Sequence, residues 1–433
     1  MYNLVSFSGI FILMFFAWSL SSDRKVVNWR VIIGGCALQL VFALFIFIVP
    51  AGADAFQFIN DMLVKVIAVA STGTKFLFGR LALPPGSTDE WGGESLGFIF
   101  AFQALPTIIF FASLMSILYY IGIMPRLIKL FSKVFTRLMK VSGAESLCAS
   151  SNIFVGIESA TTIRPYLQKM TRSELCTVLT AGMATIASSV LAIYIMILQK
   201  QFPGIAGHLV SASFLSAPAA IIMSKLLLPE TGKPETLGVD VEPYYERESS
   251  FIEASINGAN AGLKLVGGII ALLVAFLGIV ALADYMAMGI GQRINEFAGI
   301  SIDWSLKGLM GYVFYPFTLI IGVPPSDAFE ISKIIGERVI VTETKSYMDL
   351  AILIDNGTLQ NPRSAFLATY ALCGFAHIAS LAIFVGGIAA LVPERTSDLS
   401  AVGPRALLAA TLACLMTACV AGTFFGGGSI LLG

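Results

Sequence analysis

Apolar runs of about twenty residues recur from one end of the chain to the other, and that recurrence limits what it can fold into. In hydrocarbon every backbone amide and carbonyl must find its partner inside the chain, so only helices and closed barrels cross a bilayer. A spanning helix takes roughly 20 apolar residues. Such runs lie at about 5–20, 31–50, 100–123, 173–199, 206–228, 258–290, 306–345 and 403–430. The short alternating segments of a membrane barrel are not found. Only 12% of the 433 residues are charged, about half the share usual in a soluble domain. The reading is an all-α polytopic membrane protein with about eight transmembrane helices.

Two further apolar segments, 144–166 and 363–392, are interrupted near their centres by polar residues and glycine, and each reads as a broken, re-entrant hairpin. The runs at 306–345 and 403–430 hold Pro, Gly and polar breaks and are expected to bend. A polar linker near 229–257 divides the chain into halves with weak internal similarity. In the first, the hairpin ends at Arg164-Pro165 and a helix with Gly182–Ser188 follows. In the second, the hairpin ends at Val392-Pro393 and a helix with Cys414–Cys419 follows. Paired interrupted segments are the usual pointer to a transporter site near the midplane of inverted repeats. The expected organisation is 1–123 as mostly scaffold helices, 124–228 as a first transport repeat, 229–300 as linker and scaffold helix, and 301–433 as a second transport repeat.

Lysine and arginine set the orientation. Arg24, Lys25 and Arg30 follow the first span, and Arg126, Lys129, Lys133, Arg137 and Lys140 follow the 100–123 span. Both clusters are expected in the cytoplasm, with the N-terminus outside and the chain in the inner (plasma) membrane. The loop at 84–93 has neither residue type, as an external loop should. Helical spacing of the charges over 126–140 predicts an amphipathic helix on the cytoplasmic surface, with anionic-lipid sensing as the functional alternative. Net charge is zero, so no global field favours nucleic acid. The six cysteines lack metal-like spacing and read as free, buried thiols. The first apolar run lacks a basic leader and a cleavage site and reads as a retained helix.

Within this apolar chain, Glu158 is the sharpest pointer to function, because an ionisable group at bilayer depth costs roughly 2.5 kcal/mol or more. It sits with Asn152, Gly156, Ile157 and Ser159 at the first interruption. It either faces a polar cavity or a solute, or pairs with a lysine or helix end. His377, in the second interruption, is one of two histidines and is either a hydrogen-bonded core residue or part of the same site. Phe375 either stacks on a flat ring or simply packs. From charge alone Glu343, in the run Ile335–Lys345, reads as an ordinary solvated acid at a cytoplasmic helix end.

Several stretches together resemble the concentrative nucleoside transporter family: Gln103–Phe110 running to Leu118–Gly122, the first tip, Ile335–Tyr347, and Leu372–Ala376. The likeness runs in order over essentially the whole chain. It implies a homotrimer with scaffold and transport domains, moving elevator-fashion to couple nucleoside uptake to a sodium or proton gradient. The family's tip pattern Gly-Gln-Thr/Ser-Glu becomes Gly156-Ile157-Glu158, one residue shorter and without its glutamine; Glu158 falls on the glutamate that addresses the base. Glu343 falls on the acid that accepts ribose hydroxyls. In Gly374–Ser380, Phe375 and Ser380 match the family, while His377 replaces the asparagine that holds ribose. The sodium-site positions fall on Asn152, Val155, Thr185 and Ile186, an oxygen-only set. Sodium is the expected coupling ion, with proton coupling through Glu158, Glu343 or His377 as the alternative. No cofactor is expected. Rival readings are transport of free nucleobases or another small polar solute and, remotely, an intramembrane enzyme using Glu158 and His377 as acid and base.

Overall fold

The computed structural model describes residues 1–89, 92–245 and 248–426. Glu90 and Trp91 of the predicted external loop, and the end of the 403–430 run from Gly427, lie outside the described residues. The described chain folds into seventeen α-helices with a few 3-10 turns. Among the described residues, eight helical stretches are long and apolar enough to cross a membrane, Phe100–Tyr120 and Arg172–Leu198 each counted as one.

The chain opens with α1 (Tyr2–Ser19), α2 (Trp29–Phe47) and α3 (Pro50–Phe78), then the short α4 (Phe100–Gln103), α5 (Thr107–Tyr120) and α6 (Ile123–Met139). The sequence reading has no helix at α3, because Asp54, Asp61, Lys65 and Lys75 dilute its hydropathy. It forms nonetheless. Pro50 sits in its first turn, where a missing N–H costs nothing, and a narrow stripe of Ala53, Phe56, Asn60, Ile67, Ala70 and Thr74 is buried. The basic helix α6 is found where expected.

The next four elements build one unit. α7 (Gly143–Asn152) opens with a Ser142–Glu145 capping box, and the chain then folds back through 3-10 turns at Ile157–Ile163 and Leu167–Lys169. Cys148 Sγ lies 3.7 Å from Ser159 Oγ across this first hairpin. α8 (Arg172–Ala184) and α9 (Ser188–Leu198) run on from each other around a gap at 185–187, a broken helix, and α10 (Ile205–Leu227) follows. Beyond the linker, Ser250 caps α11 (Phe251–Ala298), whose 48 residues reach about 72 Å. Its Gly258 and Gly262 let it lie directly on α5, against Ser113 and Ile109.

The same sequence of elements then returns, but not where the sequence reading puts it. The 306–345 run is not one span. α12 (Leu306–Ile320) turns at Gly322 (φ 93°) into α13 (Pro325–Ile340), which packs antiparallel on it with Gly336 against Met310. α13 and α14 (Glu343–Asp355) form the second hairpin. Ser346 Oγ donates back to the Ile334 carbonyl at 3.1 Å, and at the base Asp327 accepts from the Gln360 and Asn361 amides at 3.1 and 3.0 Å. The 363–392 segment is therefore not a hairpin: α15 (Pro362–Leu372) and α16 (Ile378–Leu391) do not pack along each other and form a second broken helix. α17 (Thr396–Thr423) completes the repeat.

The two hairpins enter from opposite ends. Gly143 at the base of the first donates to Thr236 of the linker at 2.8 Å, Ser22 meets Leu227 at 3.0 Å, and Gly34 abuts the Leu138 carbonyl at the end of α6. This end gathers the first connection, the basic helix and the linker. The linker lies along α6 through Lys129–Glu242 and Arg137–Asp240. At the other end Arg363, starting α15, bonds to the Tyr2 carbonyl, Asn3, Ser6 and the Gly322 and Gly422 carbonyls, so the N-terminus sits beside the base of the second hairpin. All six cysteines are free, and all but Cys36 are buried.

Candidate functional site

The tip of the first hairpin rests on the gap in the first broken helix. The Phe154 carbonyl accepts from the Ser188 amide at 3.1 Å and its hydroxyl at 2.5 Å, and a Cβ on Gly156 would come within 3.1 Å of Ala187 Cβ. The two gaps also touch. Gly374 has φ 142°, and a Cβ there would lie 2.8 Å from Cys414 Sγ and 2.9 Å from the Ala184 carbonyl oxygen. Glycine is required on both counts. Half-helix ends thus converge inside the fold, leaving backbone groups that something must satisfy.

The second hairpin delivers Glu343 to this centre. It is buried (4% exposed) as the first residue of α14. Tyr194 of α9 donates to its Oε1 at 2.5 Å and stacks on Tyr347 with centroids 4.7 Å apart. His377 Nε2 lies 2.8 Å from its Oε2. The histidine is also the N-cap of α16: Nδ1 accepts the Ser380 amide at 3.2 Å, and Ser380 Oγ is 2.7 Å from Nε2. With Nδ1 used as an acceptor, the neutral ring carries its proton on Nε2, facing both the acid and the hydroxyl.

Glu343 is therefore not the solvated helix end that its charged neighbours suggest. Those neighbours pair among themselves: Lys307 and Lys345 hold Glu337 and Asp349 in one cluster. The fully buried Arg338 turns away to donate to the Ala371 carbonyl at 2.5 Å, near the end of α15. Glu337, Lys345 and Asp349 are thus engaged with one another and with Lys307, and Glu343 is left to the site.

Glu343, His377, Ser380 and Phe375 line a cavity of about 130 Å³ together with Glu158 and Ser189, and α11 contributes an apolar wall from Leu265 to Phe276. A wider chamber of about 520 Å³ shares Glu158, Gly156, Ser189 and Leu265, and extends past Tyr119 to Tyr244 and Tyr245 of the linker. Glu158 faces both and is exposed to them. Among the described residues no ion pair or hydrogen bond engages its carboxylate. The two acids thus differ: one is held from two sides, the other is open.

The fit of a monovalent cation can be tested on the first tip. Asn152 is fully buried, its Nδ2 donates to the Cys148 carbonyl at 3.0 Å, and its Oδ1 has no partner. The Thr185 hydroxyl donates to Ala181 at 2.9 Å, which leaves its lone pairs available. Among the described residues no hydrogen bond reaches the carbonyls of Val155 or Ile186. Neutral oxygens with unmet acceptor capacity suit a hard cation such as sodium.

Other sequence-derived candidates fall elsewhere. Ser159 is buried against Cys148 and lines neither cavity. The side chain of Ile157 lies outside those described. Sequence reasoning misses Tyr194, a lone phenol in the apolar run Leu191–Leu198. A buried tyrosine hydroxyl needs a partner, and that was the available signal.

The comparisons bear on this geometry. A family model described as the Na+ dependent nucleoside transporter C-terminus matches residues 208–422, the corresponding N-terminus model matches 8–81, and a model described as nucleoside recognition matches 101–201. The chain is 35% identical to the nucleoside permease NupC of Helicobacter pylori, over 98% of each. Among solved structures it matches CNTnw in an inward-facing substrate-bound state at TM-score 0.88 and 34% identity, covering 99% of each chain. It matches a CNTnw variant in an outward-facing state at TM-score 0.86 and 33% identity, covering 98% of each. Relatives of this similarity are transporters, not enzymes, and the chain belongs to the concentrative nucleoside transporter family.

Proposed function

We propose that this protein is a sodium-coupled symporter that concentrates nucleosides in the cell. Glu343, His377 and Ser380 take the ribose, Phe375 packs beside it, and Glu158 addresses the base. Sodium is held by the Asn152 side chain, the Thr185 hydroxyl and the carbonyls of Val155 and Ile186. The observation that carries the reading is the convergence on one cavity of two acids from two hairpins, beside two broken helices.

The moving part in this reading is the block of hairpins, broken helices, α10 and α17, which supplies every polar group of the inner cavity. The α11 wall is apolar and belongs to the scaffold, consistent with an elevator in which polar groups slide past an inert surface. The exposed apolar length of α11 suits contact with lipid and with two further copies in a homotrimer. The hairpins are re-entrant, one from each face of the inner membrane. Placing both basic clusters in the cytoplasm requires an even number of crossings between them. Then α2 and α5 cross, α3 lies along the outer surface, and the N-terminus is outside.

Radiolabelled nucleoside uptake into proteoliposomes, with sodium and proton gradients imposed separately, tests the coupling. The His377–Glu343 contact favours a second reading, proton coupling, and uptake driven by a proton gradient alone would select it. Glu158→Gln and Glu343→Gln are each expected to abolish concentrative uptake while the protein still folds. Accumulation at the native level in both would refute the site.

A further inference from the structure

Resting on the nucleoside reading, the open state of Glu158 goes further and selects among bases. We infer that Glu158 makes this transporter prefer nucleosides whose base presents two adjacent N–H donors, the guanine edge, over those that present carbonyls or ring-nitrogen acceptors.

The argument begins with what the inner cavity lacks. Among its lining residues there is no side-chain amide, ammonium or guanidinium group. Its one ring N–H, on His377, faces Glu343 and Ser380. Near the tip stand Glu158 and Ser189, whose hydroxyl can give or accept a single bond. A carboxylate with no protein partner is an acceptor on both oxygens and pairs best with two parallel N–H groups, as it does with a guanidinium. Guanine offers that pattern through N1–H and its exocyclic amine. Uracil presents one N–H between two carbonyls, so its flanking oxygens would face the anion. Adenine and cytosine set an amine beside an unprotonated ring nitrogen, and hypoxanthine sets a single N–H beside a carbonyl. Uracil and adenine then turn a carbonyl or ring-nitrogen lone pair toward the carboxylate, while cytosine and hypoxanthine can give it only one N–H beside a C–H. Each falls short of the guanine pair, which is where polar discrimination becomes steep.

Within the inner cavity the short tip leaves the base edge to Glu158, with Ser189 beside it. Gly156 and Glu158 are separated by one residue, and Gly156 is wedged against Ala187, with its missing Cβ position 3.5 Å from Glu158 Oε2. An amide that could turn one way for a carbonyl and the other way for an N–H is absent from the inner cavity; Asn257 lines only the wider chamber, where its amide donates to Glu248 at 3.0 Å. The acid cannot adapt in that manner, because both its oxygens only accept.

Equilibrium competition of guanosine, inosine, adenosine, cytidine and uridine for reconstituted protein in sodium tests this, with uptake of each labelled nucleoside run in parallel. Guanosine is expected to bind at least about tenfold more tightly than uridine or adenosine, a ratio that one charge-assisted hydrogen bond can supply. Glu158→Gln, assayed by binding, is expected to erase that ratio, since glutamine offers one donor and one acceptor; a native-like unfolding temperature establishes that the variant folds. Uridine or adenosine binding as tightly as guanosine, alongside uptake of any of them, overturns the base preference and leaves nucleoside transport standing. A guanosine preference that persists in Glu158→Gln overturns the role of this residue. If none of the five binds or enters, the nucleoside reading itself falls.

Discussion

Tyr194 and Gly374 set the geometry of the site from behind. The phenol holds one oxygen of Glu343 while its ring lies on Tyr347. Tyr194→Phe keeps the ring and removes the bond, so a stability loss of about 1.5–3 kcal/mol is expected in thermal or denaturant unfolding. Michaelis constants for uptake should rise together with it. At Gly374 a methyl group meets both a backbone carbonyl and a thiol, at a positive φ. Gly374→Ala should cost about 2–5 kcal/mol through strain and overpacking together. An unchanged unfolding temperature would show that the two gaps are less tightly joined than drawn. At this scale the sequence was half legible. Glu158 announced itself by being an acid among apolar residues, whereas Glu343 was masked by Glu337, Arg338 and Lys345. Lys307, which helps neutralise that cluster, stands 36 positions before Glu343 in the chain, so no local window shows the pairing.

At the scale of elements, a helix gap and a hairpin tip share one sequence signature: glycine and polar residues within an apolar run. Leu372–Ile378 carries that signature, and the reading as a tip failed because direction is fixed elsewhere. The Ala184 carbonyl and Cys414 pin Gly374, and Arg338 holds the Ala371 carbonyl. The true second tip, at Val341-Thr342, has no glycine in its turn and looks like a charged helix end. Helix α3 was hidden for a related reason, since a narrow buried stripe needs few apolar residues. The clamp at the start of α15 gives a prediction. The Arg363 guanidinium joins α1, the Gly322 turn and α17 through five hydrogen bonds. Arg363→Ala strands several buried carbonyls and should cost about 2–5 kcal/mol. Arg363→Lys, a point charge without the fork, should recover only part of that loss. Equal stability of the lysine variant and the native protein would show that charge alone suffices.

For the molecule as a whole, the proposed sodium site ties ion to fold. A cation on Asn152, Val155, Thr185 and Ile186 would bridge the first hairpin to the first broken helix and so favour the folded state. Sodium at a hundredfold above its dissociation constant should stabilise the protein by about 2.7 kcal/mol. The unfolding temperature should therefore climb with sodium but not with potassium, and Asn152→Ala should flatten the response. A native protein indifferent to sodium would remove the ion from this place. The global architecture was the most legible level, because lipid imposes long apolar helices and leaves a plain record of them. What composition could not record was which breaks meet.

The meeting of Gly374 with Ala184 carries one more implication. Each repeat has an interruption where a helix is weakest, and here the two weak points are butted together as mutual braces. A shift of either half-helix would drive backbone into backbone, so the pair behaves as a keyed joint. Displacement at one key is borne by both, so the two repeats are braced as a single block.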